Sequence, residues 1–456
     1  MKRSRLKCIL CCVLVACLLT GCNAIGLDVE TQLIPPESSS EHEAIRTALD
    51  EYISAHTKSG ETAEYTLKYP SGGQYLSAFI MLDDLKTHPI LGVEDAGTKS
   101  LGKQVVAFYR RNSENALVHI NLLQCDENGT WKSVADVEGK GQSVNQAEFA
   151  DLNNDGTPEL LIGWSMYNTR DSRLAIYDLD NNLRMRSFSD TYTNLIVADI
   201  TADGGEDLLL LRVNSGDNPV SAEMYSFRSN NVIENGHALL DSGIVRFGEH
   251  VTARLTDKIN GVYIDCDKEQ GGTITELLYW NDGQLLAPLC DQDSGINRQS
   301  AREKALACRD IDGDGQIEWP VTSRMTGFED TAVDETLWYT DWRSYDVDSD
   351  ESVIEFAGLI PAEDGYMLRL REGWEALPVS YNNETRLLTM YRDGDQWQFR
   401  LRAIAAEDKE ELPEGYVVIK ESDTVCYAVL LAEEEGAIPL EELLSLFYLL
   451  DGEEVR

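Results

Sequence analysis

Three stretches of this chain place oxygen-bearing side chains at positions 1, 3, 5 and 9 of a nine-residue segment, with glycine at position 6. Asp151, Asn153, Asp155 and Glu159 form the first set. Asp199, Thr201, Asp203 and Asp207 form the second, and Asp310, Asp312, Asp314 and Glu318 the third. The chemistry such a pattern offers is coordination of a hard cation. Calcium takes six to eight oxygens in flexible geometry, and these side chains with the carbonyl at position 7 can supply them. Glycine at position 6 permits the tight turn. The expected role is structural, because a caged ion with no open position staples a loop and does not activate water. An EF-hand would carry Glu at position 12, where this chain has Ile162, Leu210 and Val321. Asp, Asn and Gly also favour turns on their own, so acidic turns without an ion are the competing reading.

No catalytic constellation accompanies these loops. The six histidines, at 42, 56, 88, 119, 237 and 250, show no metal-ligand spacing and sit in no triad motif. With 80 Asp and Glu residues, no pair of carboxylates can be assigned to glycoside hydrolysis. Trp319, Trp338, Tyr339, Trp342 and Tyr345 cluster in sequence. They read as alternating core residues, or as aromatic faces for a sugar or peptide. Of ten cysteines, five precede residue 23; Cys125, Cys266, Cys290, Cys308 and Cys426 are widely spaced and lack any C-x-x-C. That is neither a disulfide framework nor a zinc site, and buried free thiols are expected, with Cys266 and Cys290 able to pair across strands.

The acidic segments need strands to hold them. Each is flanked by short apolar runs, and degenerate copies of the unit occur near Ser77–Leu85 and at Val251–Ile264. Units anchored on Asp84, Asp151, Asp199, Arg254 and Asp310 recur every 48 to 67 residues, a period that suits a four-stranded propeller blade. The second unit offers strands at 146–150, 160–165, 174–178 and 183–189; the fourth offers 251–255, 262–265, 273–280 and 285–289. The expected fold is therefore mainly β. A β-propeller-like repeat domain of about five blades, with six or seven open, spans 61–352. A small α+β domain follows over 353–456, with strands at 386–391, 396–403, 416–420 and 425–431 and a closing amphipathic helix from Pro439 through Leu450. Residues 23–60 read as a polar tether leading to a helix over 41–55.

Residues 1–22 carry an address. Lys2, Arg3, Arg5 and Lys7 precede a 12-residue apolar run, Cys8–Leu19, too short to span a bilayer. Leu19-Thr20-Gly21-Cys22 matches the bacterial lipobox, which implies a diacylglycerol anchor on Cys22. The formal charge of −41 argues against nucleic acid as a partner and favours an acidic, solvated exterior.

The loop pattern, its place between strands and the repeat period together resemble FG-GAP/VCBS repeats, the calcium-bearing blades of integrin-like propellers. The whole is similar to VCBS-repeat lipoproteins of Gram-positive, clostridia-type bacteria. The motif covers about residues 70–350, and is degraded in the first and fourth units and weakened by Thr201 in the second loop. The resemblance implies a lipid-anchored, calcium-stabilised binding or scaffold protein on the outer face of the cytoplasmic membrane, with an unassigned protein or glycan ligand. Two alternatives stay open: an extracellular glycan-active enzyme using funnel carboxylates, and an accessory subunit of an envelope complex.

Overall fold

The computed structural model describes residues 40–58, 63–85, 102–113, 116–165, 171–186, 191–213, 219–228, 231–362, 364–433 and 437–450. The expected signal peptide, Cys22 and the tether up to residue 39 lie outside the described residues. Within them the chain is mainly β, arranged as six antiparallel sheets. No described helix is long and apolar enough to cross a membrane. Two compact units divide the chain: 1–67, 78–83 and 101–139 form one, and 68–77, 84–100 and 140–456 the other.

The first unit pairs a helix with a sheet. The helix is Ser40–Ala55, with Glu41 and Glu43 in its first turn, where acids suit the exposed N–H groups. Ile45, Leu49 and Ile53 recur every four residues on one face and are fully buried. They pack on Val105, Ala107, Tyr109, Leu123 and Trp131 of the first sheet. That sheet runs Tyr65–Leu67, Gln104–Arg111, Val118–Cys125 and Trp131–Glu138, with Phe79–Met81 also paired to Gln104–Arg111. Burying each aliphatic side chain contributes about 1.5–3 kcal/mol, far more than so short a helix gains from propensity. The boundary expected at 60/61 therefore cuts through one packed unit.

The second unit holds five sheets in sequence order. The second sheet comprises Val144–Ala150, Glu159–Ser165 and Ser172–Asp178, with Arg184–Arg186 and Thr191–Tyr192 both paired to the last. The third is the meander Asn194–Ala198, Asp207–Arg212, Ser221–Arg228 and Asn231–Leu239. The fourth is the meander Ile244–Thr256, Ile259–Lys268, Thr273–Asn281 and Gln284–Leu286. The fifth contains Trp319–Arg324, Leu337–Asp346, Glu351–Pro361, Tyr366–Arg369 and Phe447–Leu449; the sixth contains Val379–Asn382, Leu387–Asp393, Gln396–Ala405, Val425–Leu431 and Val417–Glu421.

Consecutive sheets share cores. The run Leu208-Leu209-Leu210-Leu211 shows how. Successive strand side chains point to opposite faces, so Leu208 and Leu210 pack with Leu161, Leu174 and Ile176 of the second sheet. Leu209 and Leu211 pack with Val262, Ile264 and Leu278 of the fourth. A strand buried on both faces reads as continuously apolar, and this one does. Tyr263 and Leu277 of the fourth sheet meet Trp319 and Tyr345 of the fifth. Leu359 and Tyr366 of the fifth meet Leu388, Phe399 and Tyr427 of the sixth.

The C-terminal region departs from expectation in two ways. The boundary drawn at 352/353 falls inside strand Glu351–Pro361. The closing helix covers only Leu440–Ser445, and the chain then extends as Phe447–Leu449 along Tyr366–Arg369. The apolar spacing is real, but an open sheet edge offers Phe447 and Leu449 ladder hydrogen bonds and a core that a longer helix would forgo. Trp319, Trp338, Trp342 and Tyr345 are buried core residues. Cys125, Cys266, Cys290, Cys308 and Cys426 are free thiols, and burial pushes Cys290 up to about 12.

Candidate functional site

The first two acidic loops join the first and second strands of the second and third sheets. The third loop leads into Trp319–Arg324, and its upstream side is held by a two-bond bridge between Arg309 and Glu318 and by the Cys308 N–H, which donates to Asp265 at 2.9 Å. All three share one hydrogen-bond pattern. The position-1 carboxylate caps its own loop: Asp151 accepts from the backbone N–H groups of Asp155 (3.0 Å) and Gly156 (2.7 Å). Asp199 accepts from Asp203 and Gly204, both at 3.1 Å. Asp310 accepts from Asp314 (3.1 Å) and Gly315 (2.9 Å). The position-5 carboxylate accepts from the N–H of position 7, which is Thr157, Gly205 or Gln316. The position-9 acid reaches back under the loop to the N–H of position 2: Glu159 to Leu152, Asp207 to Ile200 and Glu318 to Ile311, at 3.0 to 3.1 Å. Positions 4 and 6 are left-handed in every copy, at Asn154 and Gly156, Ala202 and Gly204, and Gly313 and Gly315. That conformation folds the loop back so that its side-chain oxygens face inward.

Position 3 distinguishes the copies. Asn153 donates its amide to Glu159 (2.6 Å), and the Thr201 hydroxyl donates to Asp207 (3.0 Å). Asp312, a carboxyl in place of an amide or hydroxyl, converges instead with its neighbours. One carboxylate oxygen from each of Asp310, Asp312 and Asp314 lies within 4.8 Å of the others, and all three residues are exposed. Among the described residues this is the only such grouping of three acids, cysteines or histidines. Oxygens on opposite sides of a calcium ion, each about 2.3–2.6 Å from it, stand about that far apart. Glu318 falls outside the grouping and acts as the brace beneath it. Arg369 Nη1 lies 3.6 Å from Asp312, and the guanidinium is stacked 4.2 Å above the ring of Phe356.

Crowding leaves its mark on protonation. Burial, then nearby carboxylates, pushes Glu159 up to about 8 and Glu318 up to about 7. Asp151, Asp199 and Asp207 are raised for the same leading reason. A divalent cation among such groups reverses that logic by favouring the ionised form. The donor set thus fits a hard cation best at the third loop.

The loops also tie sheets together. Glu206, in the second loop, accepts from the backbone N–H of Asp151 in the first, at 2.5 Å. Asn260 of the fourth sheet donates to the carbonyl of Asp199 in the second loop, at 2.7 Å. These contacts are not legible in the motif, because Glu206 fills its unspecified position 8 and Asn260 lies outside it.

Two further groupings carry no sequence motif. In the first unit Asp136 accepts from Tyr109 (2.8 Å) and Asn121 (2.9 Å) and pairs with His119 Nδ1 (2.8 Å), with Tyr109 and His119 stacked. Cross-strand register brings them together. In the second unit a cavity of about 950 Å³ is lined by residues from Val144–Ala150, Asn194–Ala198 and Ile244–Thr256, the first strands of three successive sheets. Gly73 and Gln74 complete it. Glu148, buried in a strand that also carries Asn145 and Gln146, gives no pattern that would have pointed there.

No family model matches the chain, and no curated protein matches it. Among solved structures it is similar to the exotype rhamnogalacturonan lyase YesX (10% identity, TM-score 0.30, covering 74% of this chain and 73% of that one). It is also similar to a rhamnogalacturonan lyase from Bacillus licheniformis (12% identity, TM-score 0.28, covering 74% and 81%). Similarity that low carries no argument about activity.

Proposed function

We propose that this chain is a calcium-stabilised, β-propeller-like binding or scaffold protein held on the outer face of a bacterial membrane by lipid on Cys22. One observation carries the reading: a single hydrogen-bond network recurs in three loops, and the third gathers three carboxylates within 4.8 Å. Asp310, Asp312 and Asp314 would hold the ion, and the ion would neutralise charge and lock the loop. Asp151, Asn153 and Asp155, and Asp199, Thr201 and Asp203, are the corresponding groups of the other loops, with Glu159, Asp207 and Glu318 as braces. The propeller arrangement is supported by the consecutive meanders, their shared cores and the first strands lining one cavity. The basic start, short apolar run and lipobox support the anchor.

The test is calorimetric unfolding with calcium and with a chelator. At calcium a hundredfold above Kd the gain is about 2.7 kcal/mol per site. Asp310→Asn should remove part of that gain; because the amide keeps only one of the two oxygens that cap the loop, the calcium-free melting temperature falls too, and the readout is the smaller calcium-induced shift. Melting indifferent to calcium would discard the reading.

A further inference from the structure

We infer that the cavity framed by Val144–Ala150, Asn194–Ala198 and Ile244–Thr256 is a binding site for a neutral carbohydrate. The inference rests on the binding-protein reading above and names its ligand class.

Size comes first. About 950 Å³ lies at the upper end of the range for small-ligand sites. Polarity decides the class. No Lys or Arg is among the described lining residues, so none of them neutralises a phosphate or uronate. The polar groups are instead the amides of Gln74, Gln146 and Asn194, the Thr252 hydroxyl and the carboxyls of Glu148 and, at the exposed edge, Glu249, which repel anionic ligands further. Amides and hydroxyls donate and accept at once, as sugar hydroxyls do. Leu195, Val197 and Val251 supply apolar surface for the C–H faces of a ring. His250, exposed at its edge yet crowded by protein, has its pKa lowered by desolvation and adds no cation at neutral pH.

The acid at the centre of the polar set is held in place before any ligand arrives. Segment 71–74 lies along strand Val144–Ala150, with the Ser71 N–H donating to Val144 O (3.2 Å) and the Gly72 N–H to Asn145 O (2.8 Å). Gly73 is left-handed at φ +82°, and a Cβ there would stand 2.6 Å from Glu148 Oε1. The left-handed backbone favours glycine, and any other side chain would push the Glu148 carboxyl aside. The Glu148 carboxyl accepts from Gln146 Nε2 (3.1 Å) and from the Gln74 N–H (3.3 Å). Gln146 and the Gln74 backbone thus orient the acid, and a pre-oriented group loses little entropy on binding.

The experiment is isothermal titration of the full chain, calcium-loaded, with three probe sets: neutral hexose and N-acetylhexosamine oligosaccharides, uronate oligosaccharides, and amino-sugar oligomers. At least one neutral probe should saturate while the charged ones do not. Gln74→Leu and Thr252→Val should each weaken that binding fivefold or more, the equivalent of about 1 kcal/mol per lost hydrogen bond. Gln74 is exposed, and Thr252→Val preserves shape, so melting should hold in both variants. Failure of every neutral probe, exclusive binding of charged ones, or affinity indifferent to both substitutions overturns the site. The calcium-dependent melting of the same samples separates the two ideas. A calcium shift without sugar binding removes only the carbohydrate site, and sugar binding without a calcium shift removes only the metal reading.

Discussion

Glu276 should make the fourth sheet lose stability as pH rises, and the size of the effect follows from its surroundings. The side chain is fully buried in strand Thr273–Asn281. Its Oε1 accepts from the Asp241 N–H at 2.9 Å, and its Oε2 has no hydrogen-bond partner. Lys268, the cation that acts on it, is committed to Asp241 at 2.8 Å. Burial therefore raises its pKa from 4.5 to about 8. An acid raised in this way stays protonated in the folded state while the unfolded chain has already released its proton. The unfolded state binds fewer protons between those two values, so stability falls with pH across the window. Each tenfold difference in proton affinity between the two states is worth about 1.36 kcal/mol, so the full loss approaches ~5 kcal/mol above pH 8 and is nearly absent at pH 4.5. Glu276→Gln removes the titration. Its new amide N–H₂ replaces an oxygen that had no partner, a pH-independent cost of about 1–3 kcal/mol. The readout is therefore the slope of the difference between variant and parent. Hydrogen exchange of Ile259–Lys268 and Thr273–Asn281, compared at matched pH from about 5 to 8.5 in constant calcium, measures it. Relative protection should rise in the variant by close to tenfold per pH unit up to about pH 8. A flat difference would show that Glu276 ionises in the folded state as it does in the unfolded one, and would refute the account.

Two more outcomes test the loops. Glu206→Ala should cost about 1–3 kcal/mol, because the Asp151 N–H loses its acceptor in a mostly buried site; thermal melting reads it, and no change would sever the proposed tie between the first two loops. Gly315→Ala should cost about 1–2 kcal/mol through the backbone alone, since φ is +90° and a Cβ there meets nothing within 4 Å; calcium titration of this variant should show weakened affinity at the third loop, and unaltered affinity would uncouple loop shape from coordination.

Strand positions are largely legible because burial on one or both faces leaves a period-2 or continuous apolar trace. The strand expected over 425–431 is Val425–Leu431, and that over 396–403 is Gln396–Ala405. The helix expected over 41–55 is Ser40–Ala55. Legibility fails where a long-range partner decides. Leu443, Phe447 and Leu450 have helical spacing, yet pairing of Phe447–Leu449 with Tyr366–Arg369 sets the outcome. No local rule reveals that edge. The same limit hides the cavity, whose walls come from strands about fifty residues apart, and the hydrogen bonds that Glu206 accepts and Asn260 donates. The acidic motif names its twelve residues but not their division of labour. Position 9 braces the backbone from a buried position, while positions 1, 3 and 5 of the third loop face solvent together.

That division explains why the three loops should respond unequally to cations. In the first two, the position-3 group donates a hydrogen bond to the position-9 acid, so part of the local negative charge is already compensated. The third loop has no such donor. Three exposed carboxylates converge there with Arg369 near, at 3.6 Å and itself half-engaged with Phe356. Mutual repulsion at that distance is modest in water but grows as the ion supply falls. A chain with 80 acidic and 39 basic residues has few cations to lend. Screening by salt alone should therefore stabilise the third loop only weakly, whereas a divalent ion placed among its oxygens acts at contact distance. Sodium raised to the same ionic strength as a calcium solution should leave most of the melting shift unrecovered, and full recovery by sodium would reduce the site to diffuse charge.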